Sequence, residues 1–167
     1  MNRRSIAKPV FFLLIGGVAL HLAWFYPRLP ATIASHFDGS GRPNGWMSKQ
    51  TMAMTYAGMT VLFAVVFYGL GLLFPKMSPC LFSIPYRDYW LAPERRKETL
   101  AFLADYLLWI GNATVAFIMG LMHQMFLANL GKVPVLSPVA AWIAAVYVAF
   151  LLVWVVGLYA RLRKPKG

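Results

Sequence analysis

Acidic residues are scarce in this chain. Its 167 residues include five aspartates and glutamates against sixteen lysines and arginines, and charged residues of both signs reach only 13%. Soluble domains carry roughly 25%, so an ordinary water-exposed domain is excluded. Cysteine is nearly absent too. The single Cys80 rules out an internal disulfide. No phosphate-binding loop, nucleophile elbow or His-Glu-x-x-His pair occurs, and no span carries two histidines set for haem. Internal repeats and low-complexity segments are missing as well. At this length the chain forms one domain, residues 1–167.

Apolar residues are what the sequence has instead. They make up 60% of the chain, and the mean hydropathy is +0.61. Four runs approach the ~20 apolar residues that a bilayer core demands. They are expected at about Val10–Tyr26, Met52–Phe74, Leu100–Phe126 and Val139–Tyr159. The expected fold is therefore an all-α integral membrane protein, a four-helix transmembrane bundle. The first run has the basic start of a signal peptide but no Ala-x-Ala site after it. Trp24, Phe25 and Tyr26 close it as an interfacial anchor instead.

The net charge of +11 raises the question of nucleic acid, but the basic residues sit at the ends of the apolar runs. There they contact anionic lipid and fix orientation, so the bilayer is the expected partner and nucleic acid is not. Arg3, Arg4, Lys8, Lys76, Arg87, Arg95, Arg96, Lys97, Arg161, Arg163, Lys164 and Lys166 fall on one side. Only Arg28, Arg42, Lys49 and Lys132 fall on the other. The positive-inside rule then puts both termini in the cytoplasm, N-in and C-in. It makes 27–50 an outer loop and 75–99 an inner loop. Cys80 lies on the reducing side.

The outer loop is polar and rich in turn residues, with Pro27, Pro30, Pro43, Gly39, Gly41 and Gly45. Loops of this kind between rigid elements carry recognition and chemistry. Pro30 is expected to open a short helical turn through Ser35, with Asp38-Gly39 turning the chain after it. Trp46 and Lys49 suit the interface. The binding candidates are His36, Phe37, Asp38, Gly41, Trp46 and Lys49. A plainer reading makes the loop a re-entrant cap with His36 bonded to backbone.

His21 and His123 lie near the outward ends of their spans, at the level of His36. Three neutral imidazoles around zinc with an open fourth position would form a catalytic or sensing metal site, with Asp38, Gln124 or Asn129 supporting it. Alternatively His21 and His123 bridge helices by hydrogen bonds, or His36 and Asp38 form a proton-transfer or ligand-binding pair.

In the inner loop, Pro93 at a first helical position, with Glu94 and Glu98 near a helix start, predicts a helix running straight into the third span. Tyr86, Tyr89 and Trp90 form an aromatic belt, and Arg95-Arg96-Lys97 an anchor for lipid phosphates. Tyr89, Trp90, Glu94, Arg95 and Arg96 together are candidates for docking a partner. Asp105, about two turns into the third span, needs a counter-charge there. Arg161 is the expected partner in a helix-to-helix clamp, with Lys97 as the other choice. Asn112-Ala113-Thr114 matches a glycosylation acceptor but falls mid-span, which voids it. Gly16, Gly17, Gly58, Gly69, Gly71, Gly111 and Gly120 are expected to allow close helix approach.

Leu29-Pro30, Ile33, His36-Phe37, Gly41, Trp46 and Lys49 resemble the Leu-Pro-x-x-Ile-x-x-His-Phe-x-x-x-Gly-x-x-x-x-Trp-x-x-Lys pattern of a bacterial domain of unknown function found in SdpI-like membrane proteins. Asn44 stands where an aspartate is common. Asp88-Tyr89-Trp90-Leu91-Ala92-Pro93-Glu94-Arg95-Arg96 is similar to a second motif carried by a subset of that group. The resemblance implies a multi-pass protein of the bacterial cytoplasmic membrane. Among SdpI-like members it implies immunity against a secreted toxic peptide and signalling, although those proteins have more spans. The expected function is thus recognition of an extracytoplasmic ligand or peptide through the His36 loop. A membrane enzyme or metal site on His21, His36 and His123, and an accessory subunit of a larger membrane complex, are the other readings.

Overall fold

Four long apolar helices and one small β-hairpin make up the computed structural model, which describes residues 5–131 and 133–163. Of the orientation-setting charges, Arg3, Arg4, Lys132, Lys164 and Lys166 lie outside the described residues. Helix α1 spans Ala7–Phe25, α2 Lys49–Leu73, α4 Pro93–Leu130 and α5 Val139–Arg161, with a one-turn helix α3 at Arg87–Trp90. All four long helices have the length and hydropathy to cross a membrane. Strands β1, Thr32–Phe37, and β2, Pro43–Ser48, form the hairpin between α1 and α2.

Helix α4 is the mast of the bundle. It packs against α1, α2 and α5, and 39% of its most apolar stretch is buried, against 6% for α2 and for α5. The other three helices therefore present most of their apolar surface outward, as lipid-facing helices do. Pro93 opens α4 at its first turn, as expected, and the helix runs unbroken through the third span. Its 38 residues give a rod of ~57 Å, well beyond the ~30 Å of a hydrocarbon core. The first turns, through Thr99, thus project past the apolar section.

Two of the three hydrophobic cores lie at opposite ends, with a smaller one at Ala7, Phe11 and Leu108. At the hairpin end, Val18 and Phe25 of α1, Met52 and Tyr56 of α2, Val115, Ile118, Met125 and Phe126 of α4, and Leu29 and Ile33 gather into one cluster. At the other end Phe82, Leu91, Leu100, Leu103 and Leu162 form a second. Close backbone approach is real at Gly111. A Cβ there would stand 2.7 Å from the Cβ of Phe67, so only glycine lets α2 and α4 meet at this point. Gly16, Gly58 and Gly69 face open space instead, which corrects the expectation for them.

Polar side chains in the spans tie helices together. Asn112, 2% exposed, donates through Nδ2 to the Ala7 carbonyl at 3.0 Å. Thr114 and Tyr147 share a 2.8 Å hydrogen bond between α4 and α5. Tyr106 and Trp154 donate to each other's backbone carbonyls and stack with centroids 4.3 Å apart. Asp105 and Arg161 do not clamp the helices. Asp105 accepts from the Ser5 hydroxyl, while the Arg161 guanidinium lies 5.9 Å from the Phe102 ring centroid. Lys97 does not reach the carboxylate either. Among the described residues the one ion pair is Arg87–Asp88 at 3.3 Å. A serine hydroxyl supplies the hydrogen bond to this half-buried carboxylate, and the expected cation is not used.

Candidate functional site at the hairpin end

Pro30 does not open a helical turn through Ser35. The chain makes a short 3-10 turn at Tyr26–Arg28, and Thr32–Phe37 then runs as a strand. Local sequence favours this, because Thr32 and Ile33 are β-branched and the following Asp-Gly-Ser-Gly folds the chain back. Thr32 pairs with Ser48, Ile33 with Met47 and Ala34 with Trp46, and a bulge lets His36 face Gly45. Strand β2 alternates half-buried and exposed positions without a break, the pattern of a ribbon with one face on the protein.

Asp38 closes the turn. Its Oδ1 accepts from the Ser40 amide at 2.9 Å, the Ser40 hydroxyl at 2.7 Å and the Arg42 amide at 3.0 Å. The bond from the Ser40 side chain, then that from the Arg42 amide, hold the carboxyl below the usual carboxylate range. Asp38 is thereby committed to the turn and is not a free acid beside His36.

Gly41 has φ +79°, and a Cβ on it would come within 2.7 Å of the Leu136 carbonyl oxygen. Glycine is required on both counts. In return the Leu136 amide donates to the Gly41 carbonyl at 2.9 Å. The hairpin tip is thus bonded to the segment joining α4 to α5.

A second fastening comes from Asn129, in the last turn of α4. The Ala34 amide donates to its Oδ1 at 2.7 Å, and its Nδ2 donates back to the Ala34 carbonyl at 2.9 Å. Nδ2 also reaches the Met125 carbonyl at 2.9 Å. One side-chain amide therefore acts as a missing strand for β1, and both residues are buried. Paired residues in an antiparallel ribbon direct their amides the same way, toward each other or apart. Since Ala34 points its N–H and C=O away from β2, Trp46 opposite it points its own along the outer edge of β2. No third strand covers that edge among the described residues, and the Trp46 side chain is 55% exposed.

Ser48 caps α2 by accepting from the Thr51 amide at 3.0 Å. Lys49 donates to the Leu29 carbonyl at 3.3 Å and lies 5.0 Å from the Tyr26 ring centroid. Its charge therefore fastens the entry of the hairpin to its exit. Phe37 packs on the core.

The three histidines do not converge. His21 Nε2 and His123 Nδ1 stand 3.2 Å apart, and the Tyr56 hydroxyl is 3.4 Å from His21 Nδ1. Phe25 and Phe126 enclose the pair, with Phe126 stacked on His21 at 5.5 Å. His36 is exposed on the hairpin, its ring against Gly45, where an added Cβ would lie 3.1 Å from His36 Cδ2. No three histidine, cysteine or acidic side chains gather at metal-binding range among the described residues. The three-histidine zinc site is therefore corrected to a two-histidine bridge between α1 and α4. It is extended by Tyr56 of α2, as the hydrogen-bonding alternative anticipated. Two proton arrangements satisfy all three groups. Either Tyr56 donates to His21 and His21 to His123, or the whole chain runs in reverse. Asp38 and Asn129 are engaged elsewhere and do not support the pair.

At the far end, the inner-loop residues hold one another. Trp90 Nε1 donates to the Leu162 carbonyl at 2.8 Å. Arg95 donates to the Tyr89 carbonyl at 2.9 Å with its guanidinium 3.9 Å from the Tyr89 ring centroid. Arg96 donates to the Met77 carbonyl at 2.9 Å. Glu94, in the first turn of α4, stays exposed.

Fold and site together define a multi-pass membrane protein in which an ordered hairpin is fastened over a polar junction of three helices. Residues 13–61 match the family model described as Domain of unknown function (DUF1648), so the chain is similar to that family from mid-α1 through the hairpin to mid-α2. No curated protein and no solved structure matches the chain.

Proposed function

We propose that the protein recognises an extended extracytoplasmic peptide by strand addition along the free edge of β2. The observation that carries this reading is the Asn129 clamp. It occupies the outer edge of β1, makes the ribbon rigid, and leaves β2 as the edge with outward amide groups. Edge strands pair readily with an incoming chain unless something blocks them. Strand addition draws affinity from main-chain bonds and specificity from side chains beside them. Trp46, exposed on the same strand, supplies an aromatic contact of the kind that dominates interfaces. The uneven lysine and arginine distribution supports placing the hairpin outside and both termini in the cytoplasm of a bacterial cell. The SdpI-like loop pattern supports immunity or signalling as the physiological outcome.

The test uses the full chain in lipid nanodiscs and a library of short extended peptides. Peptides that bind should protect the Trp46 amide from hydrogen exchange. Trp46→Pro removes the outward N–H without touching the bonds to β1, and should abolish binding. Trp46→Ala keeps that N–H and should weaken binding roughly ten-fold. Binding that survives Trp46→Pro sinks the proposal. The immunity form fails separately if expression leaves a host's sensitivity to secreted membrane-active peptides unchanged.

A further inference from the structure

At the end of the bundle opposite the hairpin, a cleft of 140 Å³ is lined by Trp90, Arg95, Glu98, Thr99, Phe102 and Arg161, with Leu162 at its base. Two arginines and one glutamate line the same small space, yet neither arginine pairs with Glu98 within 4 Å. Arg95 has spent its Nε on the Tyr89 carbonyl, which leaves its terminal nitrogens free to donate. Arg161 rests by Phe102 with no hydrogen bond among the described residues. The cleft is far larger than one water needs.

Its position along the bundle is informative. Arg95–Thr99 belong to the turns of α4 that project past the apolar section, and Arg161 ends α5. The cleft therefore opens at the level of lipid headgroups, and Trp90 beside it is an aromatic side chain suited to that depth. Guanidinium groups match phosphate oxygens through paired donors. A carboxylate beside them repels a purely anionic ligand but accepts from an ammonium group.

We infer that the cleft binds the headgroup of a phospholipid carrying a primary amine, with the phosphate on Arg95 and Arg161 and the ammonium on Glu98. A quaternary ammonium has no N–H to give Glu98, and an anionic glycerol headgroup has no cation, so both bind less well.

The full chain is reconstituted in vesicles with equal parts of phosphatidylethanolamine, phosphatidylcholine and phosphatidylglycerol. It is then extracted in mild detergent, and the retained lipid is counted by native mass spectrometry. Wild type should retain phosphatidylethanolamine roughly ten-fold over the other two, the worth of about one charge-assisted hydrogen bond. Glu98→Gln should abolish that preference while phosphate-bearing lipid is still retained, and Arg161→Gln should lower retention of all three. Glu98, Arg161 and Lys97 are exposed, so these variants leave the packed core intact. Lys97→Gln lies outside the cleft and should leave the preference for phosphatidylethanolamine unchanged, whatever it does to total lipid. Equal retention of the three lipids by wild type overturns the assignment, as does loss of that preference in Lys97→Gln. Displacement of the lipid by millimolar inorganic phosphate also overturns it, and identifies a site for free phosphate.

Discussion

A single side chain decides whether the hairpin stays down. Replacing Asn129 with leucine would leave the Ala34 amide and carbonyl buried without partners. The expected cost is roughly 2–3 kcal/mol, read as faster hydrogen exchange at Ala34 while the helices keep their circular dichroism. Unchanged exchange would show that the clamp is dispensable. Asp38 gives a pH-dependent counterpart. Its folded pKa lies below the unfolded value, so its contribution is present above the ordinary carboxylate range and lost as pH falls through the lowered value. The Ser40 and Arg42 amide resonances should therefore move together at acidic pH below that range, and Asp38→Asn should remove the titration. The Asn129 contact was hard to read from sequence. Asn129 and Ala34 are 95 positions apart, and no local pattern announces an amide that imitates a strand. The turn at Asp38-Gly39, by contrast, followed from local chemistry alone.

At the scale of elements, packing overrode one local signal and respected the others. Pro30 suggested a helical turn, but β-branched residues and the Asn129 partner made a strand. The apolar runs located the four long helices to within a few residues, and Pro93 marked the start of α4 well before its apolar part. The bridge of His21, His123 and Tyr56 was half legible. Topology brought two histidines to one level, but the rotation of each helix, and the strand pairing that leaves His36 exposed on the hairpin, are set by packing that hydropathy does not encode. Two glycines test element contacts. Gly41→Ala combines a positive φ with a clash against Leu136, and should cost about 1–3 kcal/mol. Loosening should be confined to the hairpin and the segment after α4. Gly111→Ala should cost a similar ~1–3 kcal/mol through overpacking between α2 and α4. That loss should appear as global unfolding at lower denaturant, with the hairpin's exchange pattern unchanged until the bundle opens.

For the whole molecule, the arrangement makes a topological prediction with a native probe. Cys80 is exposed and lies on the segment between α2 and α4. In intact cells a membrane-impermeant maleimide should fail to label it, whereas Ser40→Cys in a Cys80→Ser background should label readily. The reverse pattern would invert the orientation proposed above.

One helix touches both ends of this machine. Asn129 grips the hairpin from the last turn of α4, and Arg95 and Thr99 stand in its first turns. No hinge interrupts the ~51 Å of helix from Arg95 to Asn129. Were a peptide to load the ribbon as proposed, this unbroken helix would carry the load, as tilt or piston travel, to the aromatic-basic segment at the opposite end.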